Sequence, residues 1–232
     1  MKTRIFKYSL LAGAMVFSGL AAANPSAVLA VKGQVSTGTC TAVLPTDNID
    51  LGTISADRLP TTGSLDVIPS GKGYYLQITC TSPLKYEVSL TDNRADSAIS
   101  VADTNESYPE GSMLGLGKTS DGVNIGGYVI SLQNITTKIG GVDYQDVLYH
   151  GTESGATWTQ ASPGLKMMPL NNTTGITDNA YIAMAAAGSL EPEASATAEF
   201  KFATWAYISS ALRSITDQQT IDGNVTFNVD YL

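Results

Sequence analysis

The chain of 232 residues is short of groups that do chemistry: it has one histidine (His150), two cysteines (Cys40 and Cys80), and only 15% charged residues. Each shortage excludes something. A single histidine leaves a Ser-His-Asp site with one possible base. The neighbouring Gly151-Thr152-Glu153-Ser154-Gly155 lacks the glycine two places before the serine that a nucleophile elbow requires. Two cysteines and one histidine do not complete a four-ligand zinc site without a carboxylate, and no Asp/Asn-rich calcium loop of the EF-hand type is present. Gly117-Lys118-Thr119 hints at a phosphate loop, but Ser112 stands where that loop needs its first glycine. The acidic pairs Glu191/Glu193 and Asp143/Asp146 are the candidates for glycosidase carboxylates; acidic surface loops are the commoner origin of such pairs. No enzyme activity, metal or cofactor is expected.

Basic residues are also few, 13 Lys and Arg against 21 Asp and Glu. Nucleic acid, which is held by clustered Lys and Arg, is therefore not an expected partner. An anionic membrane surface is excluded by the same reasoning.

What is present is apolar material, turn residues and a leader. Hydrophobic residues make up 43%, with 22 glycines and 9 prolines, enough for a core and against wholesale disorder. Lys2, Arg4 and Lys7 precede or open an uncharged stretch from Tyr8 to Ala23, which ends in Ala21-Ala22-Ala23. This is the three-part pattern of a signal peptide, residues 1–23, cleaved before Asn24; a cut after Ala30 is the weaker alternative. At 16 residues the uncharged stretch is shorter than the ~20 that span a bilayer, which argues against a membrane anchor. Removing the leader's three cations leaves ten basic residues against 21 acidic, a net charge of −11. Two cysteines in an exported chain read as one disulfide, Cys40–Cys80. Closing a 40-residue loop contributes roughly 4 kcal/mol on the chain-entropy estimate.

Strand periodicity dominates the rest. Tyr74, Leu76, Ile78 and Cys80 share one face, as do Tyr86, Val88 and Leu90; Gly127–Leu132 and Glu199–Thr204 repeat the alternation. At the C-terminus Val225, Phe227, Val229 and Tyr231 face one way, and Thr226, Asn228 and Asp230 the other. Tyr181–Ala187 reads as a short helix or, by its neighbours, as a strand. Ala95–Lys118 and Gly151–Asp178 read as loops. Trp205 follows an alternating strand and is expected in the core or at an edge. Trp158, in a loop-rich stretch, is expected to pack under the loop or to stack on a sugar ring. An all-β, immunoglobulin-like sandwich follows. If Gly223–Leu232 is its F strand, no later strand pairs its far edge. A bare apolar edge invites a strand from another chain. The competing reading is a complete sandwich with that strand paired on both sides.

The order of several motifs resembles bacterial chaperone–usher fimbrial subunits. Val31-Lys32-Gly33-Gln34-Val35, running to Cys40, is similar to the first pilin strand. Cys80 in Ile78-Thr79-Cys80 is similar to the partner cysteine, and Gly223 to Leu232 is similar to the pilin C-terminal signature with its penultimate tyrosine. Ile78-Thr79-Cys80-Thr81-Ser82-Pro83 with Thr91-Asp92-Asn93-Arg94 more narrowly resembles a pilin-like group with an uncharacterised domain, one member of which is the periplasmic protein encoded beside glutamate synthase.

The resemblance implies a single enlarged pilin-type sandwich over 24–232, lacking its final strand. It also implies a non-catalytic fimbrial subunit, in the periplasm and then in a cell-surface fimbrium. Its partners would be a periplasmic chaperone, an outer-membrane usher and other fimbrial subunits. Val225, Phe227, Val229, Tyr231 and Leu232 would form the chaperone or subunit contact. Ala27, Leu29 and Val31 would form the candidate donor strand, although Asn24–Ala30 extends ~25 Å at most. That shortness points to a minor or tip subunit, or to a periplasmic relative that does not polymerise. A carbohydrate-binding adhesin with a host glycan as partner, and a secreted hydrolase, are the competing functions.

Overall fold

The computed structural model describes residues 38–46, 48–133, 137–139, 142–144, 146–153 and 156–232. The leader, the Val31–Val35 motif and the candidate donor residues Ala27, Leu29 and Val31 lie outside them. The described strands are β1 (Cys40–Val43), β2 (Ser64–Asp66), β3 (Lys72–Leu84), β4 (Tyr86–Asp92), β5 (Leu114–Gly115), β6 (Gly126–Leu132), β7 (Thr137–Ile139), β8 (Val142–Tyr144), β9 (Asp146–His150), β10 (Thr159–Gln160), β11 (Tyr181–Ala185), β12 (Ser195–Ser209) and β13 (Val225–Tyr231). The helices among the described residues are short 3-10 turns. None is long and apolar enough to cross a membrane.

The expected all-β sandwich is the fold observed. One antiparallel sheet runs β1-β3-β12-β6-β5, with β2 also paired to β12; the other runs β10-β9-β11-β4-β13; β7 and β8 form a separate ribbon. Period-2 alternation decides which side chains meet between the sheets. The first sheet supplies Tyr74, Leu76, Ile78, Phe200, Phe202, Ile130 and Leu132; the second supplies Tyr86, Val88, Leu90, Val147, Ile182 and Met184. Leu76, Val88, Leu90, Phe200 and Phe202 are at most 1% exposed. Each such side chain contributes roughly 1.5–3 kcal/mol of burial, so the inner faces hold the two sheets together.

Of the two readings for Tyr181–Ala187, the strand suggested by its neighbours is the one observed, over Tyr181–Ala185. It pairs with β9 on one side and β4 on the other; Ile182 and Met184 point into the core while Ala183 and Ala185 are small enough to be covered on the opposite face. Gly126–Leu132 is not half-solvated: all seven residues are buried. The stretch 95–113 folds over the outer face of the first sheet, where Ile99 and Met113 pack on Val129 and Tyr207 to make a second small core. Trp205 belongs to that outer cluster. It stands half-buried on the central strand β12, neither in the inter-sheet core nor at an edge. The Lys166 ammonium lies 5.2 Å from its ring centre and 5.3 Å from that of Tyr108. Gly71, at φ +68, turns the chain into β3 directly beneath Trp205; a Cβ there would stand 2.7 Å from the indole ring. Both the left-handed backbone and the lack of space require glycine.

Candidate functional site: the cleft beside the last strand

The four sheet edges are unequal. β5 and β10 are two residues each, whereas β1 has four and β13 seven. Short edges are the usual protection against stray pairing. The two longer edges bound the same side of the sandwich. β13 pairs with β4 over its whole length, from Val225↔Asp92 to Tyr231↔Tyr86. Among the described residues no strand pairs its other side. Val225, Phe227 and Val229 are half-buried and pack against the inter-sheet core, while Thr226 and Asp230 are exposed on the other face. The alternation read for this strand is the one observed. Tyr231 and Leu232 are 54% and 56% exposed, so of the five expected contact residues these two offer the most free surface.

Between these edges lies a cleft of about 660 Å³. Its floor is the inner face of the first sheet, including Tyr74, Tyr128 and Ile130; Phe227 and Val225 form one wall, and the irregular stretch 48–54 the other. Ile49, Leu51 and Ile54 of that stretch are half-buried against the core without belonging to a strand. Sequence reasoning missed this wall. Ile49 and Leu51 alternate, but Pro45 and Gly52 interrupt the period, so no strand signal survives.

Two phenols lie at the bottom of the cleft. Burial pushes Tyr74 up to about 12, although its hydroxyl is within 3.3 Å of Thr204 Oγ1. Burial also pushes Tyr128 up, with the carboxylate of Asp92 adding to the effect. Both stay neutral at any physiological pH, so the cleft floor carries no charge.

The two ends of β13 are held differently. At its last residues the Cys40 backbone N–H donates to the Tyr231 hydroxyl at 2.7 Å, linking β1 to β13 directly. Here Cys40 and Cys80 are register partners on β1 and β3 and form the expected disulfide. The bond anchors β1 to β3.

The start of β13 is held by a polar cluster. Asn93 Nδ2 donates to Asn224 Oδ1 at 2.5 Å and to Thr226 Oγ1 at 3.0 Å. Arg94 forms an ion pair with Asp222. Asp92, 2% exposed, accepts from the backbone N–H groups of Arg94 and Gly115, both at 2.8 Å. Its burial pushes the carboxyl up, partly offset by those two bonds. Gly115 has no room for a Cβ, which would collide with the Arg94 carbonyl and Ser97 Oγ. The Thr91-Asp92-Asn93-Arg94 motif is thus the joint between β4, β5 and the first residues of β13.

The residues considered for other chemistry are elsewhere. His150 ends β9, where it is paired into the sheet opposite Tyr181. Its ring stacks on Tyr181 at 4.8 Å and meets Trp158 edge-on at 4.3 Å. Nε2 lies 3.0 Å from Glu87 Oε2 and Nδ1 lies 2.5 Å from the Gly151 carbonyl oxygen. No serine or cysteine appears among these contacts, so the histidine works as a cross-strand clip. Trp158 packs against it just before β10. Asp146 is buried and accepts from Gln160 Nε2 at 2.7 Å and the Gly188 N–H at 2.5 Å, a structural role. Lys118 pairs with Asp96. Among the described residues no group of three or more His, Cys, Asp or Glu is placed to hold a metal ion.

Comparison with known proteins places this geometry beside two findings. Residues 29–129 match the family described as "Protein of unknown function (DUF1120)", a stretch that includes β1 to β5 and the first half of β6. Over 236 aligned residues the chain is 27% identical to "Protein GltF" of Escherichia coli (strain K12), covering 93% of this chain and 92% of that protein. The similarity to GltF therefore extends along nearly the whole chain, beyond the part that the family description matches.

Proposed function

We propose that this protein is a non-catalytic, pilin-like subunit whose cleft accepts a β-strand from another chain: first a periplasmic chaperone, then a neighbouring subunit delivered through an outer-membrane usher. The observation that carries this reading is the pairing of two features on one side of the sandwich. β13 offers seven residues of edge with apolar side chains alternating inward, and beside it lies a cleft of about 660 Å³ with Tyr74, Tyr128 and Ile130 on its floor and a polar rim. A strand added along β13 would satisfy the edge by main-chain hydrogen bonds and place every second side chain in the cleft. The signal-peptide pattern and the disulfide favour the periplasm and then the cell surface as its location. Placement of residues 24–232 in one enlarged domain is part of the same proposal.

The test is expression of the full chain in the periplasm with and without its cognate chaperone. Hydrogen exchange should be slower across Val225–Tyr231 in the complex than in the chain alone. Deletion of Thr226–Leu232 should abolish the complex. A chaperone-free monomer that is stable, and whose β13 amides exchange as slowly as those of the central strand β12, would mean that the edge is already paired, and the proposal would fail.

A further inference from the structure

The cleft has a charge preference as well as a shape. Among the described residues lining it, the charged ones are Asp50 and Asp222, both acidic. Asp222 is matched by Arg94. Asp50 is exposed, and its carboxylate is engaged by the Gly52 backbone N–H at 2.8 Å, which leaves its full charge in place. A third carboxylate, Asp230, is exposed on the outward row of β13, directly across from Glu87 on β4. Glu87 is partnered by His150; no ion pair to Asp230 occurs among the described residues. The charges of Glu87 and Asp230 both reach the Tyr181 phenol, where they add to the effect of burial in pushing it up. The surroundings of the acceptor cleft are therefore acidic on the wall opposite β13, through Asp50, and along the outer row of β13, through Asp230.

We propose that the strand accepted by this cleft is cationic: apolar at the alternate positions that enter the cleft, Lys or Arg on the outward face alongside Asp230, and a Lys or Arg within reach of Asp50 on the opposite wall. This inference rests on the strand-acceptor reading and adds the chemistry of the partner. A strand laid along β13 brings its outward side chains within ~4.5–5.5 Å of the row Thr226, Asn228 and Asp230, where opposite charges attract and like charges repel. With a net charge of −11 after removal of the leader, the chain also draws a cationic segment toward it and slows an anionic one. Acidic segments, including those of a second copy of a chain this acidic, are disfavoured occupants.

The experiment uses three synthetic twelve-residue peptides with identical Val/Ile/Leu inward positions and outward positions that are all Lys, all Ser or all Glu. Binding to the full mature chain is measured by fluorescence anisotropy. The Lys peptide should bind about fivefold tighter than the Ser peptide at low salt, and the Glu peptide weaker than either. The spread should shrink at about 0.5 M salt, where the Debye length is only a few ångströms, and in the variant Asp50→Asn/Asp230→Asn. Equal binding of all three peptides overturns the charge preference and leaves the acceptor cleft standing. A Lys preference undiminished in the double variant overturns the assignment to these two carboxylates. Failure of every peptide to bind, with the chain folded by circular dichroism, overturns the acceptor reading and this inference with it.

Discussion

β10 and β13 close the same sheet at opposite ends, and they do so by opposite means. β10 is two residues, Thr159 and Gln160, both exposed. It is too short to template another strand, and Trp158 just before it packs on the His150 clip. β13 is seven residues with an apolar inward row. A chain that blunts one edge so thoroughly has the means to blunt the other. The contrast is what supports the proposed strand-acceptor role, since an edge of that length and pattern is otherwise an aggregation hazard.

The largest effect should come from β1. Cys40→Ser removes the covalent tie between β1 and β3 and should lower stability by roughly 4 kcal/mol, read as a lower denaturation midpoint and lower periplasmic yield. An unchanged midpoint in reducing buffer would mean that the disulfide is not what holds that strand. Phe227→Ala on β13 should cost about 2 kcal/mol, below the range for a fully buried phenylalanine because this one is half-buried. The matched change on the short edge, Thr159→Ala, should stay within about 0.5 kcal/mol. Comparable losses at both sites would erase the contrast between the edges.

Asp92 tests the joint at the start of β13 through pH. Its folded value is raised above the ordinary 3.8 by burial. The contribution of this group to stability is therefore full below the ordinary value and is lost as pH rises through the higher folded value. Denaturation midpoints of the native chain and Asp92→Asn should accordingly converge as pH rises across that window. A gap that widens with pH would reverse the assigned sign. A smaller effect belongs to Tyr231→Phe, which deletes the hydroxyl accepting from the Cys40 N–H. A loss of about 1 kcal/mol or less is expected in the chain alone, read as a lower denaturation midpoint. An unchanged midpoint would mean that this bond does not help to hold the end of β13.

Much of this fold was legible in residue order. Tyr74–Cys80, Tyr86–Leu90 and Val225–Tyr231 each bury one face against the core, and burying one face is what a period of two records. Where both faces are covered, the signal loses its meaning. Gly126–Leu132 alternates on paper, yet the 95–113 stretch seals its outer side, and nothing local in the strand reports a cover drawn from a different part of the chain. The same cover explains why Trp205 and Tyr207 make an outer cluster instead of a core. Tyr181–Ala185 was ambiguous because a tyrosine followed by four residues of Ala, Ile and Met suits either period; pairing on both sides decided it. The inward row Val225, Phe227 and Val229 of β13 followed from pattern, whereas the Ile49–Ile54 wall and the Tyr128 floor did not. Their closeness to Phe227 depends on how the sheets stack, which no window of sequence contains.

The Tyr231–Cys40 bond ties the last residues of β13 to β1, while the cleft lies beside Val225 and Phe227 near its start. One strand thus carries a fastening at one end and open surface at the other. Substitutions at Tyr231 and at Phe227 therefore address separate properties of the molecule, how firmly the strand is held and what its cleft admits.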